Sequence, residues 1–263
     1  MAQYTLALSD EEIARYRVMA ATARASEADI WRAAGIVAGA RIADVGCGPG
    51  AMTLELADVV GPTGSVVGVD GDPAAVAAAQ AMLSDRPNAT AQEGLADATG
   101  LEPGTFDVVV MRHVLAHNGA AEQRIVDHLA TLVRPGGRVF LLDVAMAGAR
   151  FEPDDPDLDD IGARYFALHQ SMGNDLQVGY RLARLLRTAG LDVLDHQGRF
   201  AIINPPPGVR PPPWAARDTM VAAGLATDDD VARWQIALER YDAMVERPTM
   251  FVPQFTAIGQ RPA

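Results

Sequence analysis

Two patterns of hydrophobic and polar positions alternate along the first half of the chain. Short runs of mainly apolar residues are followed by longer segments whose apolar positions recur with helical spacing. The runs predict strands at residues 41–46, 65–70, 106–112 and 137–144, and a weaker pattern predicts one at 89–93. The intervening segments predict helices at 51–60, 73–83 and 121–132. Apolar strands that alternate with helices indicate a parallel sheet that is covered by helices on both faces.

The residues before the first strand have the pattern of a helix. Residues 10–35 predict one helix, because Ser9 can act as its N-cap and apolar residues such as Tyr16 share one face. We therefore expect residues 1–35 to form a helical lid in front of a core domain at residues 36–145.

The pattern changes after the fifth strand. Residues 146–176 combine an acidic run with an aromatic segment and predict a cap insertion. Residues 177–263 predict a helix and then two long strands that pair antiparallel on either side of a helical insertion. These elements are expected at 177–188, 191–203, 204–248 and 250–259.

Composition and charge narrow the class of protein. The 263 residues are 49% hydrophobic, and no apolar run approaches the roughly 18 residues that a membrane span needs. The first residues are acidic where a secretory signal is basic, and Cys47 is the single cysteine, so we expect a cytoplasmic protein without a membrane partner. A net charge of −12 argues against a nucleic-acid partner, because phosphate binding relies on clustered cations.

A glycine-rich turn stands between the first strand and the following helix. The stretch ADVGCGPGAMTLELA, residues 43–57, contains Gly46, Gly48 and Gly50. Such a turn presents main-chain N–H groups at the positive end of a helix dipole and lets a polar ligand approach the backbone closely. It also fits the looser dinucleotide fingerprint G-x-G-x-x-A, and Asp70 ends the next strand, where it suits ribose hydroxyls. These residues predict a nucleoside cofactor and leave its identity open.

Four motifs together carry a resemblance to a known family. They are DVGCGPG, VVGVDGDP, FDVVVMRHVLAH and LVRPGGRVFLLD, in this order and spacing. The chain resembles class I S-adenosylmethionine-dependent methyltransferases over about residues 36–144, in particular bacterial enzymes that act on quinones and secondary metabolites. The resemblance implies a Rossmann-like, doubly wound α/β sheet of seven strands in the order 3-2-1-4-5-7-6, with strand 7 antiparallel. It also implies S-adenosylmethionine as the cofactor.

The resemblance assigns the methionine and ribose parts of the cofactor to particular residues. It implies that Asp44 and the three glycines of the turn hold the methionine part. Asp70, with Gly71 beside it, would bind the ribose hydroxyls. Met111 and Arg112, at the end of the fourth strand, would line the methionine and sulfonium region.

The segment expected to hold the adenine departs from the family pattern. Leu95 stands where many relatives have the aspartate that contacts the adenine amino group. Adenine is therefore expected on main-chain groups of Leu95 and Ala96, with Asp97 as an alternative if the loop shifts. On the first helix, Tyr16 is a candidate to close over the cofactor, and core packing is the alternative role for it.

Few side chains are candidates for a general base. His113 and His117 follow the fourth strand, where the methyl group should point, and an imidazole pKa of about 6.5 suits proton transfer near neutrality. A packing role competes with this interpretation for His117. Tyr165 and His169 share a face of a predicted cap helix, where they either line an aromatic substrate pocket or pack in the core. His169 is also the third histidine considered as a catalytic residue. The acidic run at 152–160 is expected to be a solvated loop, and no metal site is expected.

The function that these residues predict is methyl transfer to a small organic acceptor. The acceptor atom is an oxygen, nitrogen or carbon, the acceptor is expected to be a secondary metabolite, and the reaction is an in-line displacement. Two alternatives remain, an NAD(P)-dependent oxidoreductase and a protein that binds S-adenosylmethionine without methyl transfer. The antiparallel strand pair favours the methyltransferase sheet over the oxidoreductase. Besides the small-molecule substrate, a second copy of the chain is a candidate partner.

Overall fold

Eight strands form one mixed sheet with helices on both faces in the computed structural model, which describes residues 10–204 and 206–263. The strands are β1 (Arg41–Val45), β2 (Ser65–Asp70), β3 (Ala89–Glu93), β4 (Phe106–Arg112), β5 (Val133–Val144), β6 (Arg150–Glu152), β7 (Asp192–Ile203) and β8 (Thr249–Gln260). The α-helices are α1 (Asp10–Ser26), α2 (Ala28–Ala34), α3 (Ala51–Val60), α4 (Pro73–Met82), α5 (Glu122–Leu132), α6 (Pro156–Ser171), α7 (Leu182–Thr188), α8 (Pro212–Ala215), α9 (Arg217–Ala222) and α10 (Asp228–Ala243). Within these residues, no helix has both the length and the apolar character that crossing a bilayer requires.

The strand order confirms the predicted sheet. It runs β3-β2-β1-β4-β5-β8, and the five strands β1 to β5 are parallel to one another. β8 is antiparallel to β5 on one side and to β7 on the other, so that β7 and β8 take the places of strands 6 and 7 in the expected order. The short β6, which the sequence pattern did not predict, also pairs with β8.

The fourth strand shows why its sequence is a continuous apolar run. Val109 and Met111 pack in the layer that contains α5 and α7, whereas Val108 and Val110 pack in the layer that contains α3 and α4. All four side chains are at most 1% exposed. A strand that is buried on both faces has no solvent side, so polar residues occur only near its two ends, as Asp107 and Arg112.

The predicted helix over residues 10–35 is divided in two. Glu27 interrupts it with φ of −116° and ψ of 9°, so α1 ends before this residue and α2 begins after it. The Glu27 side chain turns inward and accepts a hydrogen bond from the indole N–H of Trp31 at 3.0 Å. The expected N-cap, Ser9, lies outside the described residues.

The acidic run of the cap insertion is bound to α10, which corrects the expectation of a solvated loop. Asp155 caps α6 and pairs with Arg240 at 2.6 Å. Asp157 and Asp160, inside α6, pair with Arg233 at 2.8 and 2.7 Å. The charges of the run therefore attach the cap to the later helical insertion, which consists of α8, α9 and α10. The division of the chain into a lid, a core and a cap stays a prediction.

Candidate active site

The glycine turn connects β1 to α3, and its three glycines have different structural tasks. All three have positive φ, of 79°, 53° and 84° in chain order. A Cβ on Gly46 would overlap the side chain of Val114, and one on Gly50 would lie 2.9 Å from the Cβ of Ala79. A Cβ on Gly48 would meet nothing within 4 Å. Packing therefore requires Gly46 and Gly50, whereas Gly48 leaves open space above the turn.

Asp70 ends β2 beside this turn and fixes its shape. Its Oδ2 accepts a hydrogen bond from the Gly48 N–H at 2.8 Å, and its Oδ1 accepts one from the Asp72 N–H at 3.0 Å. A carboxylate has about four acceptor positions, so two of them remain for a ligand. Asp70 thus joins two turns at the carboxyl edge of the parallel strands, where open α/β sheets bind their ligands.

The N-terminus of α3 adjoins the same turn. Gly50 occupies the N-cap position, and no side chain among the described residues caps the helix. The main-chain N–H groups of its first turn therefore remain available, and such a terminus attracts a carboxylate or phosphate. The arrangement of turn, helix terminus and Asp70 suits a ligand that carries an acidic group and a diol.

Asp44 lies beneath the turn. Its side chain is 2% exposed, and its Oδ2 accepts a hydrogen bond from the Thr53 hydroxyl at 2.7 Å. Burial raises the pKa of Asp44 to about 6, although the Thr53 hydrogen bond and the positive charge of Arg112 oppose the rise. The structure shows Asp44 holding the turn against α3, and its contact with a cofactor stays a prediction.

The segment predicted to hold adenine follows β3. Leu95 is 53% exposed, and its side chain lies 3.5 Å from the position that a Cβ on Gly71 would take. Asp97 pairs with Arg124 at 2.5 Å, so its carboxylate is occupied on the protein surface. The exposed Leu95 offers an apolar surface beside the Asp70 edge. Adenine contact with main-chain groups of Leu95 and Ala96 stays a prediction.

The last two residues of β4 face opposite layers. The Met111 side chain is 1% exposed in the core, so only its main chain can face the turn. Arg112 binds the Glu27 carboxylate through both terminal nitrogens, and Arg199 of β7 binds the same carboxylate. Burial acts to raise the pKa of Glu27, but the two guanidinium groups outweigh it and hold the pKa below its ordinary value. Arg112 therefore ties the sheet to the junction of α1 and α2, and its predicted contact with the methionine part stays untested.

His113 and His117 occupy the loop after β4. His113 has a φ of 56°, which is unusual for a residue with a Cβ and occurs preferentially at functional sites. Burial, followed by the positive charge of Arg112, lowers the pKa of His113 to about 3. Burial lowers the pKa of His117 as well. Both imidazoles are therefore neutral at pH 7.

Helix α6 brings His169 against His117, and Tyr165 of the same helix packs on His169. The ring centroids of His117 and His169 are 5.0 Å apart, and those of Tyr165 and His169 are 4.4 Å apart. Burial raises the pKa of Tyr165 to about 12 and lowers that of His169 to about 4. Arg15 and Tyr16 of α1 lie near enough to influence the Tyr165 hydroxyl. We call His117, Tyr165 and His169 the ring cluster.

Three polar residues at the site were not identified from the sequence. Glu27 binds the arginines described above, and Asn174 contacts His169. Asp143, 1% exposed at the end of β5, accepts hydrogen bonds from the N–H groups of Ala116 and Val144 and so supports the loop that carries His117. Asp143 follows an apolar strand just as Asp70 does, so its position was a usable signal. Glu27 and Asn174 have no such signal.

Known proteins with a similar sequence place this architecture in a family. Residues 42–137 match the family described as Methyltransferase domain. A ubiquinone biosynthesis O-methyltransferase of Burkholderia pseudomallei is 31% identical over 183 residues, which cover 63% of this chain and 74% of that protein. The chain belongs to the class I S-adenosylmethionine-dependent methyltransferases. The family resemblance carried by the four motifs is thereby confirmed.

Further relatives show how far the similarity extends. A demethylmenaquinone methyltransferase of Lactococcus lactis is 32% identical over 124 residues, which cover 44% of this chain and 49% of that protein. The chain thus spans about half the length of the first curated relatives that it matches. The YcgJ protein of Bacillus subtilis superposes with a TM-score of 0.60 at 19% identity, over 91% of this chain and 99% of that one, which supports the fold.

S-adenosylmethionine is the cofactor of this family, and the residues present fit it. The N-terminus of α3 would hold its α-carboxylate, the remaining acceptor positions of Asp70 would hold its ribose hydroxyls, and Leu95 would lie beside its adenine. The open space above Gly48 would give the methionine part room against the main chain. Family membership leaves the nicotinamide alternative without support, because the turn and Asp70 are the features that had suggested it.

Replacing Gly48 by alanine is expected to weaken binding of S-adenosylhomocysteine at least tenfold, because the Cβ would occupy the space above the turn. The left-handed backbone adds a stability cost of about 1–2 kcal/mol. Gly190→Ala is the matched control, since Gly190 also has positive φ and open surroundings but follows α7. Titration calorimetry and thermal unfolding should show similar losses of stability in both variants and a loss of affinity in Gly48→Ala alone. Equal affinity in the two variants would contradict the placement.

The buried carboxyl of Asp44 makes a second prediction, for the pH dependence of stability. Its folded-state pKa of about 6 exceeds the ordinary value of 3.8, so its contribution to stability is complete below about pH 3.8 and is lost as the pH rises through 6. Asp44→Asn, which keeps an acceptor for Thr53, is expected to remove on the order of 2–3 kcal/mol of this dependence. Urea unfolding of the ligand-free protein from pH 4 to 8 measures it, with the exposed Asp85→Asn as control. An unchanged pH slope in Asp44→Asn would show that the carboxyl titrates normally.

Proposed function

We propose that this protein transfers the methyl group of S-adenosylmethionine to an oxygen of a small organic acceptor. The ring cluster carries the proposal, because it places neutral imidazoles in and beside the loop after β4, next to the cofactor turn. A hydroxyl acceptor loses a proton on methylation, and a neutral imidazole is suited to accept it. The relatives named as O-methyltransferases of ubiquinone biosynthesis support oxygen over nitrogen or carbon. Secondary metabolites and quinone precursors are the acceptors proposed.

The bound cofactor supplies an electrophilic methyl group on a sulfonium, and the chain's own residues do the remaining work. Asp70 and the glycine turn would fix the cofactor, and His117 would take the hydroxyl proton of the acceptor. Tyr165 and the nearby α1 would keep water away from the reacting atoms. Positioning of this kind lowers an activation barrier by about 7–11 kcal/mol, and a positioned base increases the rate a further 10²–10⁴-fold, roughly.

Formation of S-adenosylhomocysteine across a panel of phenols, enols and amines tests the proposal. We expect turnover with hydroxyl acceptors and a mass increase of one methyl group in the product. Cofactor binding is measured separately by calorimetry, so that a protein that binds without turnover is recognised. Turnover confined to amines would contradict the oxygen acceptor. Binding without turnover on any acceptor would favour the alternative in which methyl transfer is absent.

Asp70→Ala is expected to weaken S-adenosylhomocysteine binding at least tenfold, which corresponds to about 1.4 kcal/mol. The variant removes both the acceptor for the ribose and the bond that shapes the glycine turn. Asp72→Ser is the matched control, because it removes a carboxylate two residues away and keeps a side chain that can cap α4. Calorimetry on both variants checks the prediction. An unchanged dissociation constant in Asp70→Ala would remove Asp70 from the cofactor site.

His117→Gln is expected to lower kcat about 100-fold or more while cofactor affinity is kept, since the amide cannot take up a proton. Because burial lowers the pKa of His117, the wild-type rate should be independent of pH above about 6.5. His196→Gln, at an exposed position of β7, is the control. Steady-state kinetics from pH 5 to 9 measures both effects. Wild-type turnover in His117→Gln would assign this histidine to packing.

A further inference from the structure

The two ring nitrogens of His169 have unequal surroundings. Nδ1 lies 3.1 Å from the side-chain nitrogen of Asn174. Nε2 is buried and has no hydrogen-bond partner among the described residues, and the whole side chain is 2% exposed. Leaving a buried polar atom unpaired is costly, so an atom of this kind at a candidate active site indicates a partner that binds there.

A second hydrogen bond determines which end of the Asn174 amide faces the ring. The main-chain N–H of Gly119 donates to Asn174 Oδ1 at 3.4 Å, so the amide nitrogen is the atom directed at His169. An amide nitrogen is a donor only. Nδ1 of His169 must therefore accept, and the single proton of the neutral ring must lie on Nε2.

The backbone around this contact is closely packed. A Cβ on Gly119 would overlap the carbonyl of Gly173, and the main-chain N–H of Asn174 donates to the His169 carbonyl at 2.9 Å. Asn174 is thus held from both sides, by the end of α6 and by the loop that follows His117. The hydrogen-bonded series from Gly119 through Asn174 to His169 is part of the fold.

The surroundings of His169 also keep the ring neutral. Burial, followed by the neighbouring His117, lowers the pKa of His169 to about 4. The rings packed against it are those of His117 and Tyr165. A second proton is therefore absent near pH 7, and the ring presents one N–H group on its unpaired side.

We propose that His169 is a hydrogen-bond donor to an oxygen of the methyl acceptor and that Asn174 holds it in this form. The role replaces the general base suggested by the sequence, because a nitrogen that carries the proton has no free lone pair. The ligand class is an acceptor with an unprotonated oxygen within reach of the ring cluster, either a carbonyl or the oxyanion that remains once His117 has taken the hydroxyl proton. His169 is then a specificity-determining residue, and Asn174 is a positioning residue. That the oxygen belongs to a methyl acceptor rests on the proposed function, whereas the tautomer does not.

Nitrogen NMR of the ligand-free protein labelled with ¹⁵N-histidine tests the tautomer. The chain has five histidines, so the spectrum of His169→Gln assigns the signals of His169 by their absence. We expect a protonated Nε2 and an unprotonated Nδ1 that stay unchanged from pH 5.5 to 8. Asn174→Asp should move the proton to Nδ1, because a carboxylate accepts where the amide donates. A wild-type ring protonated on Nδ1, or one that titrates in this range, would overturn the proposal.

Probe binding to the protein loaded with S-adenosylhomocysteine tests the donor. We expect 4-nitrophenolate to bind at least tenfold more weakly to His169→Phe than to the wild type, because the ring is kept and the N–H is lost. His169→Gln, which retains an N–H donor, should recover part of the affinity. Nitrobenzene, which lacks the phenolate oxygen, should bind both forms equally. Equal binding of 4-nitrophenolate by wild type and His169→Phe would overturn the proposal. Failure of methyl transfer itself would leave the NMR result in place, so the two failures are distinguishable.

Discussion

The hydrogen bond from the Gly48 N–H to the Asp70 carboxylate is the contact on which the site depends. It joins the turn after β1 to the turn after β2, and it shapes a loop that no side chain fills. Because Gly48 has no Cβ and α3 has no side-chain cap, the surface that remains is bare main chain with a partial positive charge. One carboxylate stands beside this surface. A cofactor with an acidic end and a diol can therefore be recognised by main-chain groups and a single charged side chain.

A buried ion-pair cluster attaches the N-terminal helices to the sheet. Glu27 interrupts the first helix because its carboxylate is drawn inward by Arg112 of β4 and Arg199 of β7. If Glu27 lost one of these arginines, its buried negative charge would be incompletely compensated. The cluster therefore fixes the position of Glu27 relative to β4 and β7, even if its net contribution to stability is small. Arg112 also opposes the raised pKa of Asp44 beneath the glycine turn. The guanidinium group of Arg112 therefore affects both the pKa of Asp44 under the turn and the position of α1, which carries Tyr16.

Features that depend on a local sequence pattern were predictable from the sequence. Four of the five parallel strands followed from apolar runs, β3 followed from a weaker pattern, and the turn and Asp70 followed from motif spacing. Helical spacing placed Tyr165 and His169 on one face of a helix. The break at Glu27 was not predictable in this way, because arginines 85 and 172 positions away create it. The approach of His169 to His117 and Asn174 likewise depends on how α6 packs against the loop after β4, and a single sequence without structural context carries no signal for that contact.

The ring cluster is polar and yet uncharged at neutral pH. Burial lowers the pKa values of His117 and His169 and raises that of Tyr165, so none of the three rings carries a charge. Under the proposed chemistry His117 takes up the hydroxyl proton, and the opposite charges of the acceptor oxygen and the sulfonium cancel as the new bond forms. Surroundings of low polarity solvate the separated charges poorly and therefore favour that step. An imidazolium at His169 would instead stabilise the oxyanion before it reacts, whereas a neutral N–H orients the oxygen with less stabilisation. Burial around α6 thus has two effects. It keeps the three rings uncharged, and it lowers the polarity of the space in which the proposed reaction takes place.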